Sequence, residues 1–537
     1  MLKKNGGLIC AVLTTLALAG CGQGSQTSTV ATSTQRGTLA VDPPLRVASL
    51  SASAFSSELG ATTSGQQLVQ LAGTPACGVD FYYLKYWTVD PSGKPAEVSG
   101  ALMVPTGSGA QCSGPRPIVL YAHGTSTDQT YNIADISDPN NAANSESAMI
   151  ASVFAAQGDI VVAPNYEGYD ISNLGYHPYI NGAVNADDMI DALAAARTAL
   201  PHTFTPKTTD SGQLYVTGYS EGGYVAMATV KAMQAAGEAV TASAPSSGPY
   251  ALEAFGDAIF FGQVDIGSTV FAPMVRTSYQ NSYTNLHSTP AEVFSSTYAT
   301  GIDSLLPSTT PLTTLFQQGK LPEAALFDST TPTSSTGIAA VDAAADQLLA
   351  LPSSPPYSAA DAALFDAGFG SPYLINNSYR VEYVDDAVVN PDQAEMELLK
   401  GATYENGQLT ASNVALATSP AVGLRQDFKL NDMRNGGWAP KEPMLMCGGD
   451  QDPTVFFEVN TGVMAAEWGP LVSAGLVSVL DLNATPSGPF AVLQGAFQST
   501  YGAMVAAEGA STAIQSYHAT EAPFCMVAAR DFFAQVP

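Results

Sequence analysis

Positive charge is what this chain has least of. Lys and Arg number 19 against 47 Asp and Glu in 537 residues, leaving a formal net charge of −28. A field of that sign repels phosphate backbones and anionic substrates. Nucleic acid is therefore excluded as a partner, and a neutral or cationic substrate fits better. The plainest role of the excess acid is a solvated surface that keeps an exported protein soluble. Charged residues are only 12% of the chain, while 46% are hydrophobic, ample for a sizeable core. No C-x-x-C pair occurs, so neither a zinc site nor a cofactor is expected. No stretch beyond residue 21 reads as a transmembrane helix. Histidine is scarce too, with only 5 in the chain, which narrows the choice of a catalytic base.

What is present begins at the N-terminus. Lys3 and Lys4 precede an apolar run, 8–20, too short to stay in a bilayer and of the length of a signal-peptide core. It ends Leu18-Ala19-Gly20-Cys21, which resembles a bacterial lipobox. The resemblance implies that 1–20 is a lipoprotein signal peptide and that Cys21 carries a lipid anchor into the membrane. Gly22, rather than Asp, follows, which in such lipoproteins favours the outer membrane or cell surface. Of the 6 cysteines, Cys77, Cys112, Cys447 and Cys525 then face an oxidising compartment, where two disulfides are expected and three pairings are open. Residues 21–65, rich in Ser, Thr, Gly and Ala with little periodicity, read as a flexible tether.

Beyond the tether, 81–88 and 96–104 are aromatic-rich runs joined by Asp90-Pro91-Ser92-Gly93, the signature of a hairpin. Continuous apolar runs at 117–122 and 159–164 read as buried strands. Helical spacing at 145–157 and 185–200, a strand at 213–217, a helix at 222–236 and a strand at 239–244 complete an alternating pattern. That pattern predicts an α/β fold, a mostly parallel sheet with helices on both faces. The N-terminal part of the domain is taken as 66–249. A mainly helical insertion, 250–438, falls between the sixth and seventh strands. The C-terminal part, 439–537, resumes with strands at 443–447 and 477–482 around a helix near 463–468.

Gly218-Tyr219-Ser220-Glu221-Gly222 fits G-x-S-x-G and sits between a buried strand and an Ala-rich helix. A sharp strand-to-helix turn there exposes the serine hydroxyl, with glycines where a β-carbon would collide. Ser220 is the expected nucleophile. The backbone N–H of Glu221, directly after it, is one expected oxyanion donor. Among the histidines, His287 lies in the irregular insertion, whereas His518 lies past the last clear strand, ahead of a terminal helix that resumes by Cys525. His518 is the expected base.

These motifs resemble the α/β-hydrolase superfamily, and within it a secretory-lipase-like esterase branch. Gly449-Asp450-Gln451-Asp452-Pro453-Thr454-Val455 resembles that family's G-x-x-D-x-x-V pattern, and its register implies Asp452 as the triad acid, ahead of Asp450. His123-Gly124-Thr125 resembles its H-G motif. It implies Thr125 as the second oxyanion donor, Ser126 next, with His123 structural. Asn165-Tyr166-Glu167-Gly168-Tyr169 and His177-Pro178-Tyr179 resemble a segment that branch places before the nucleophile, with His177 structural. The insertion would be the cap. Because the acid and histidine loops meet in this fold, the resemblance also implies the pairing Cys447–Cys525, leaving Cys77–Cys112 beside the hairpin. The implied function is hydrolysis of a neutral or apolar ester through an acyl-enzyme. An exported peptidase, anchoring a substrate amine on cap acids such as Asp385 and Asp386, is the alternative. A hydrolase fold kept as an adhesin conflicts with a complete triad.

Overall fold

A computed structural model describes residues 35–205, 207–350, 359–405 and 408–536. The expected signal peptide, 1–20, and Cys21 lie outside them. The core is a nine-stranded sheet in the order β1-β2-β3-β5-β4-β6-β7-β8-β9. In chain order the strands are β1 (Leu45–Leu50), β2 (Gly78–Val89), β3 (Pro95–Thr106), β4 (Gly114–Ala122), β5 (Ile160–Pro164), β6 (Thr208–Tyr219), β7 (Ala242–Ser246), β8 (Met444–Gly448) and β9 (Val477–Asp481). The pairs β1/β2, β2/β3 and β3/β5 are antiparallel. From β5 to β9 every pair is parallel.

Two groups of helices cover this sheet. Helices α4 (Gly182–Ala199) and α5 (Glu221–Ala236) pack on each other, and α3 (Asn144–Val153) packs with the terminal helix Tyr517–Phe533 on the opposite face. Strands β5 and β7 are buried throughout and β4 and β6 over their C-terminal halves, as the apolar runs at Ile118–Ala122 and Ile160–Ala163 require.

The expected tether is corrected from residue 35 onward. Instead of loose chain there is the edge strand β1 and two helices, α1 (Ala52–Gly60) and α2 (Thr63–Ala72). The Ser and Thr that suggested a linker are caps: Ser51 accepts from the Ala54 N–H at 3.2 Å and Thr62 from the Gly65 N–H at 3.0 Å. Phe55 and Leu59 supply the buried face. With β1 counted, the insertion falls between the seventh and eighth strands of the sheet.

The insertion itself is mostly helical, opening with α6 (Leu252–Phe260) and α7 (Ser268–Tyr283) and closing with the helix Gly423–Asn431. Its interior is held by two buried arginines among more numerous acids. Arg425 makes a two-armed contact with Asp257, both N···O distances 2.9 Å, and reaches Asp386 at 3.1 Å. Arg434 bonds Asp392 at 2.8 Å and Asp432 at 2.7 Å. Glu253, 3.8 Å from Arg425, and Glu395 are buried beside them. Burial, reinforced by Asp392 and Asp257, pushes Glu253 up to about 8.

A carboxyl whose folded-state pKa lies above its unfolded value stabilises the fold at low pH and loses that contribution as pH rises through the folded value. Resistance to urea should therefore decline as pH rises from 4.5 through about 8. Glu253→Gln, which cannot ionise, should flatten this decline, and urea midpoints measured across that window check it.

Candidate active site

β6 ends at Tyr219 and α5 begins at Glu221, so Ser220 alone makes the turn, at φ 61° and ψ −126°. Side-chain-bearing residues rarely hold such a conformation, and it persists only where the surroundings enforce it. Here they do. A β-carbon on Gly218 or Gly222 would strike the Ala122 carbonyl at the end of β4, and one on Gly223 would strike the Ser246 carbonyl of β7. Ser220 also donates its N–H to the Ser246 carbonyl at 3.0 Å. The backbones of β4, β6, β7 and α5 thus meet around one half-buried serine. The first N–H of α5, that of Glu221, has no intrahelical carbonyl to reach and sits at the positive end of the helix.

His518 places Nδ1 2.6 Å from Oδ2 of Asp452. Asp452, 4% exposed, uses its other oxygen to accept from the N–H groups of Thr454 at 2.9 Å and Val455 at 3.3 Å. Asp450 is exposed and directs its backbone N–H to Asp481 at 3.2 Å, away from the imidazole. Tyr219, one residue before the turn, lies against the His518 ring with centroids 4.8 Å apart. The imidazole is thereby brought beside the serine turn. Its Nε2 is buried and makes no hydrogen bond.

One expectation about this segment is corrected. His518 is not in a loop ahead of the terminal helix but in that helix's first turn, and Cys525 lies in its middle, past Pro523. Proline removes one helical hydrogen bond without ending the helix when packing holds both sides. Here Tyr517, Glu521, Phe524 and Cys525 are all buried, and the Cys447–Cys525 disulfide ties the helix to β8. Cys77 and Cys112 form the second disulfide.

The helical course brings in a residue the sequence reading missed. Glu521 stands one turn after His518, fully buried, with its Oε1 3.9 Å from Nδ1. A Glu three residues after a candidate base is the signal, and it is legible only if the segment is known to be helical. Asp452, His518 and Glu521 place oxygen or nitrogen atoms within 4.8 Å of one another, the one such grouping among the described residues that could ligate a metal. The atoms involved are those that already form the imidazole–carboxylate bond.

The loop after β4 lies against the turn: a β-carbon on Gly124 would sit 3.8 Å from that of Ser220. Thr125 follows, its hydroxyl 3.0 Å from that of Tyr179. Both ring nitrogens of His123 face backbone carbonyls, Gly124 at 2.7 Å and Asn165 at 3.1 Å, and the ring stacks on Tyr131 and Tyr166. His177 bonds the Glu167 carbonyl at 2.8 Å and the buried Glu221 side chain at 2.6 Å, so it braces the residue after the serine. His287, lying in the insertion, is pushed down to about 4 by burial and by Arg276.

Above the serine, α6 and α7 form much of the wall of an apolar cavity. Ser220 and Glu221 form part of its wall, and Leu252, Phe255, Ile259, Phe271 and Val275 much of the rest. Its ionisable groups are subdued. Burial pushes Asp265 up to about 7, and Arg276 is paired with Asp303. Asp386 does not line the cavity and is held by Arg425, while Asp385 is absent from the lining as well.

Comparison with known proteins places this geometry. Residues 145–291 match the prolyl oligopeptidase family. No curated protein matches the chain in sequence. Among solved structures it is similar to the rice cell wall degrading esterase LipA from Xanthomonas oryzae, at 24% identity over 93% of this chain and 98% of that one, with a TM-score of 0.62. It is also similar to a putative hydrolase from Legionella pneumophila, at 17% identity over 92% and 96% of the two chains, TM-score 0.58. The chain has the α/β-hydrolase fold.

The Cys447–Cys525 bond joins the strand that leads to Asp452 and the helix that carries His518, closing a loop with a sequence separation of 78. Cys447→Ala with Cys525→Ala should lower unfolding stability by about 2–4 kcal/mol, read from urea denaturation. Non-reducing peptide mapping of the unmodified chain should recover the two cysteines in one cross-linked peptide.

Proposed function

We propose that this α/β-hydrolase-fold chain is a serine hydrolase that cleaves neutral carboxylic esters with an apolar acyl group. The observation that carries this reading is the 2.6 Å bond between His518 and Asp452 beside a strained Ser220 that opens on an apolar cavity. In the proposed reaction Ser220 Oγ attacks the ester carbonyl while His518 Nε2 takes its proton. The N–H groups of Glu221 and Thr125 receive the developing oxyanion. Collapse of the tetrahedral intermediate transfers that proton to the departing alcohol and leaves an acyl-Ser220. Water, deprotonated by the same nitrogen, then releases the acid and restores the hydroxyl. Asp452 keeps the proton on Nδ1 and stabilises the imidazolium without being protonated itself. An unmade Ser220–His518 bond in the free protein fits this scheme, since such bonds commonly tighten only with substrate in place.

Peptide hydrolysis by the same residues is the second reading, and the match of 145–291 to the prolyl oligopeptidase family favours it. Against it, neither of the acids that would hold a substrate amine lines the cavity, and Asp386 serves Arg425. Buried apolar walls near Ser220 suit an acyl chain better than a charged terminus.

The purified chain should turn over p-nitrophenyl esters and leave aminoacyl nitroanilides intact; the reverse preference would replace ester with peptide chemistry. A fluorophosphonate should label Ser220, and Ser220→Ala should lose both label and turnover. Asp452→Asn should cut kcat by about 10³–10⁴-fold through the wrong tautomer, with Asp450→Asn far milder.

The anchor is part of the same proposal. Two disulfides fit an oxidising, exported compartment, and no helix among the described residues is long and apolar enough to cross a membrane. Lipid on Cys21 would then hold the protein at the outer membrane or cell surface. Wild type should sediment with membranes and Cys21→Ser should not; a freely soluble wild type with an unmodified N-terminus would refute the anchor.

A further inference from the structure

Glu521 is a buried ionisable group beside the imidazole that the reaction above does not use. Its Oε1 is 2.7 Å from the Tyr219 hydroxyl and also meets the hydroxyl of Ser247. The Tyr219 hydroxyl is in turn 2.5 Å from the backbone carbonyl of His518 and 3.2 Å from its Nδ1. Counting protons decides what these contacts are. Nδ1 spends its proton on Asp452, so it can take none from Tyr219. Tyr219 owns a single proton, and the His518 carbonyl, being acceptor only, must receive it for a 2.5 Å contact to be attractive. The 2.7 Å contact between Tyr219 and Glu521 then lacks a proton unless Glu521 brings one. With that proton in place the chain closes: Ser247 donates to Glu521, Glu521 to Tyr219, and Tyr219 to the His518 carbonyl.

The surroundings agree. Asp452 accepts two backbone N–H groups, which suits a charge, whereas Glu521 meets the hydroxyls of Tyr219 and Ser247 and the Asp452 carboxylate itself, with no N–H donor. Its Oε2 is buried without a partner, next to the α-carbon of Gly449, where a naked charge would be costly. Every neighbouring element offers acid or phenol. Tyr219 comes from β6, Tyr250 from the segment after β7, Asp452 from the acid loop, and Tyr517 with His518 from its own helix; Asp450 and Asp481 add negative charge around Tyr517. Among the described residues no Lys or Arg is paired with it. Burial, reinforced by Asp452, raises the Glu521 carboxyl far above the ordinary range. Two carboxylates this close cannot both ionise readily, and the better-solvated one takes the charge.

We propose that Glu521 is a second, protonated carboxyl of the triad: its proton locks Tyr219 onto the His518 backbone, and it ionises to stand in for Asp452 when that charge is removed. It is a positioning residue, acting through Tyr219 and the imidazole. The stand-in role rests on the ester-hydrolase reading above; the protonation does not.

Two measurements separate them. The infrared difference between wild type and Glu521→Gln at neutral pH should show loss of a protonated-carboxyl carbonyl band, whether or not any ester is turned over. Absence of that loss overturns the proposal. For the stand-in, Asp452→Asn should keep a residual kcat that climbs with pH as Glu521 ionises. Adding Glu521→Gln should cut that residue by a further factor of about 10 or more and flatten its pH profile, the non-additivity expected of groups acting as a unit. Equal residual rates and equal profiles in the single and double variants would overturn the stand-in. If Asp452→Asn does not fold, as judged by circular dichroism, the infrared difference still decides the protonation state. Tyr219→Phe, which breaks the relay, should then shift the same band, and an unmoved band overturns the lock.

Discussion

The backward turn at Ser220 is possible only because no side chain stands between four backbones. Gly218, Gly222 and Gly223 let α5 begin against the ends of β4 and β7, and the strain at φ 61° is held by that packing and by the Ser246 carbonyl. Other features of the site follow from this contact. A helix that starts at residue 221 presents its first N–H at the serine. A β4 that ends beside the turn delivers the His123-Gly124-Thr125 loop to it. The neighbouring β8 brings the acid loop within reach of the terminal helix, and Gly449 lets Tyr517, Asn483 and Glu521 crowd its backbone where any β-carbon would intrude.

The insertion solves two problems with separate sets of residues. Facing the serine it is apolar, with α6 and α7 forming walls whose few ionisable groups are neutralised or paired. Behind that wall it carries buried acids gathered on Arg425 and Arg434. Such networks fix relative positions of helices more than they add stability, since desolvation offsets most of the attraction. Placing them out of the cavity leaves its wall largely apolar.

Much of the fold was legible because its signals are local and redundant. Buried strands such as 117–122 and 159–164 announce themselves as continuous apolar runs, and the G-x-S-x-G turn was identifiable from the strand before it and the helix after it. What was illegible depended on context beyond the window. The Ser and Thr of residues 51–62 look alike whether they solvate a linker or cap helices, and only the buried Phe55 and Leu59 distinguish the two. Pro523 reads as a breaker unless the packing of Phe524 and Cys525 is known. That misplacement hid Glu521, because a residue three positions on is a neighbour only along a helix. The choice of Asp452 over Asp450 rested on a family register; in the structure the imidazole bonds Asp452.

The covalent link between β8 and the terminal helix has a consequence for when the protein becomes competent. Cys447 and Cys525 secure the two elements that carry Asp452 and His518, and thiols stay reduced in the cytosol. A newly made chain there lacks this clamp, so the carboxylate and the imidazole are tethered by packing alone, where a displacement of about 1 Å can cost on the order of 10²-fold in rate. Crossing into an oxidising space closes it. Under the proposed function the arrangement would amount to latency by address: the same polypeptide would be subdued where it is synthesised and set to full geometry only at its destination.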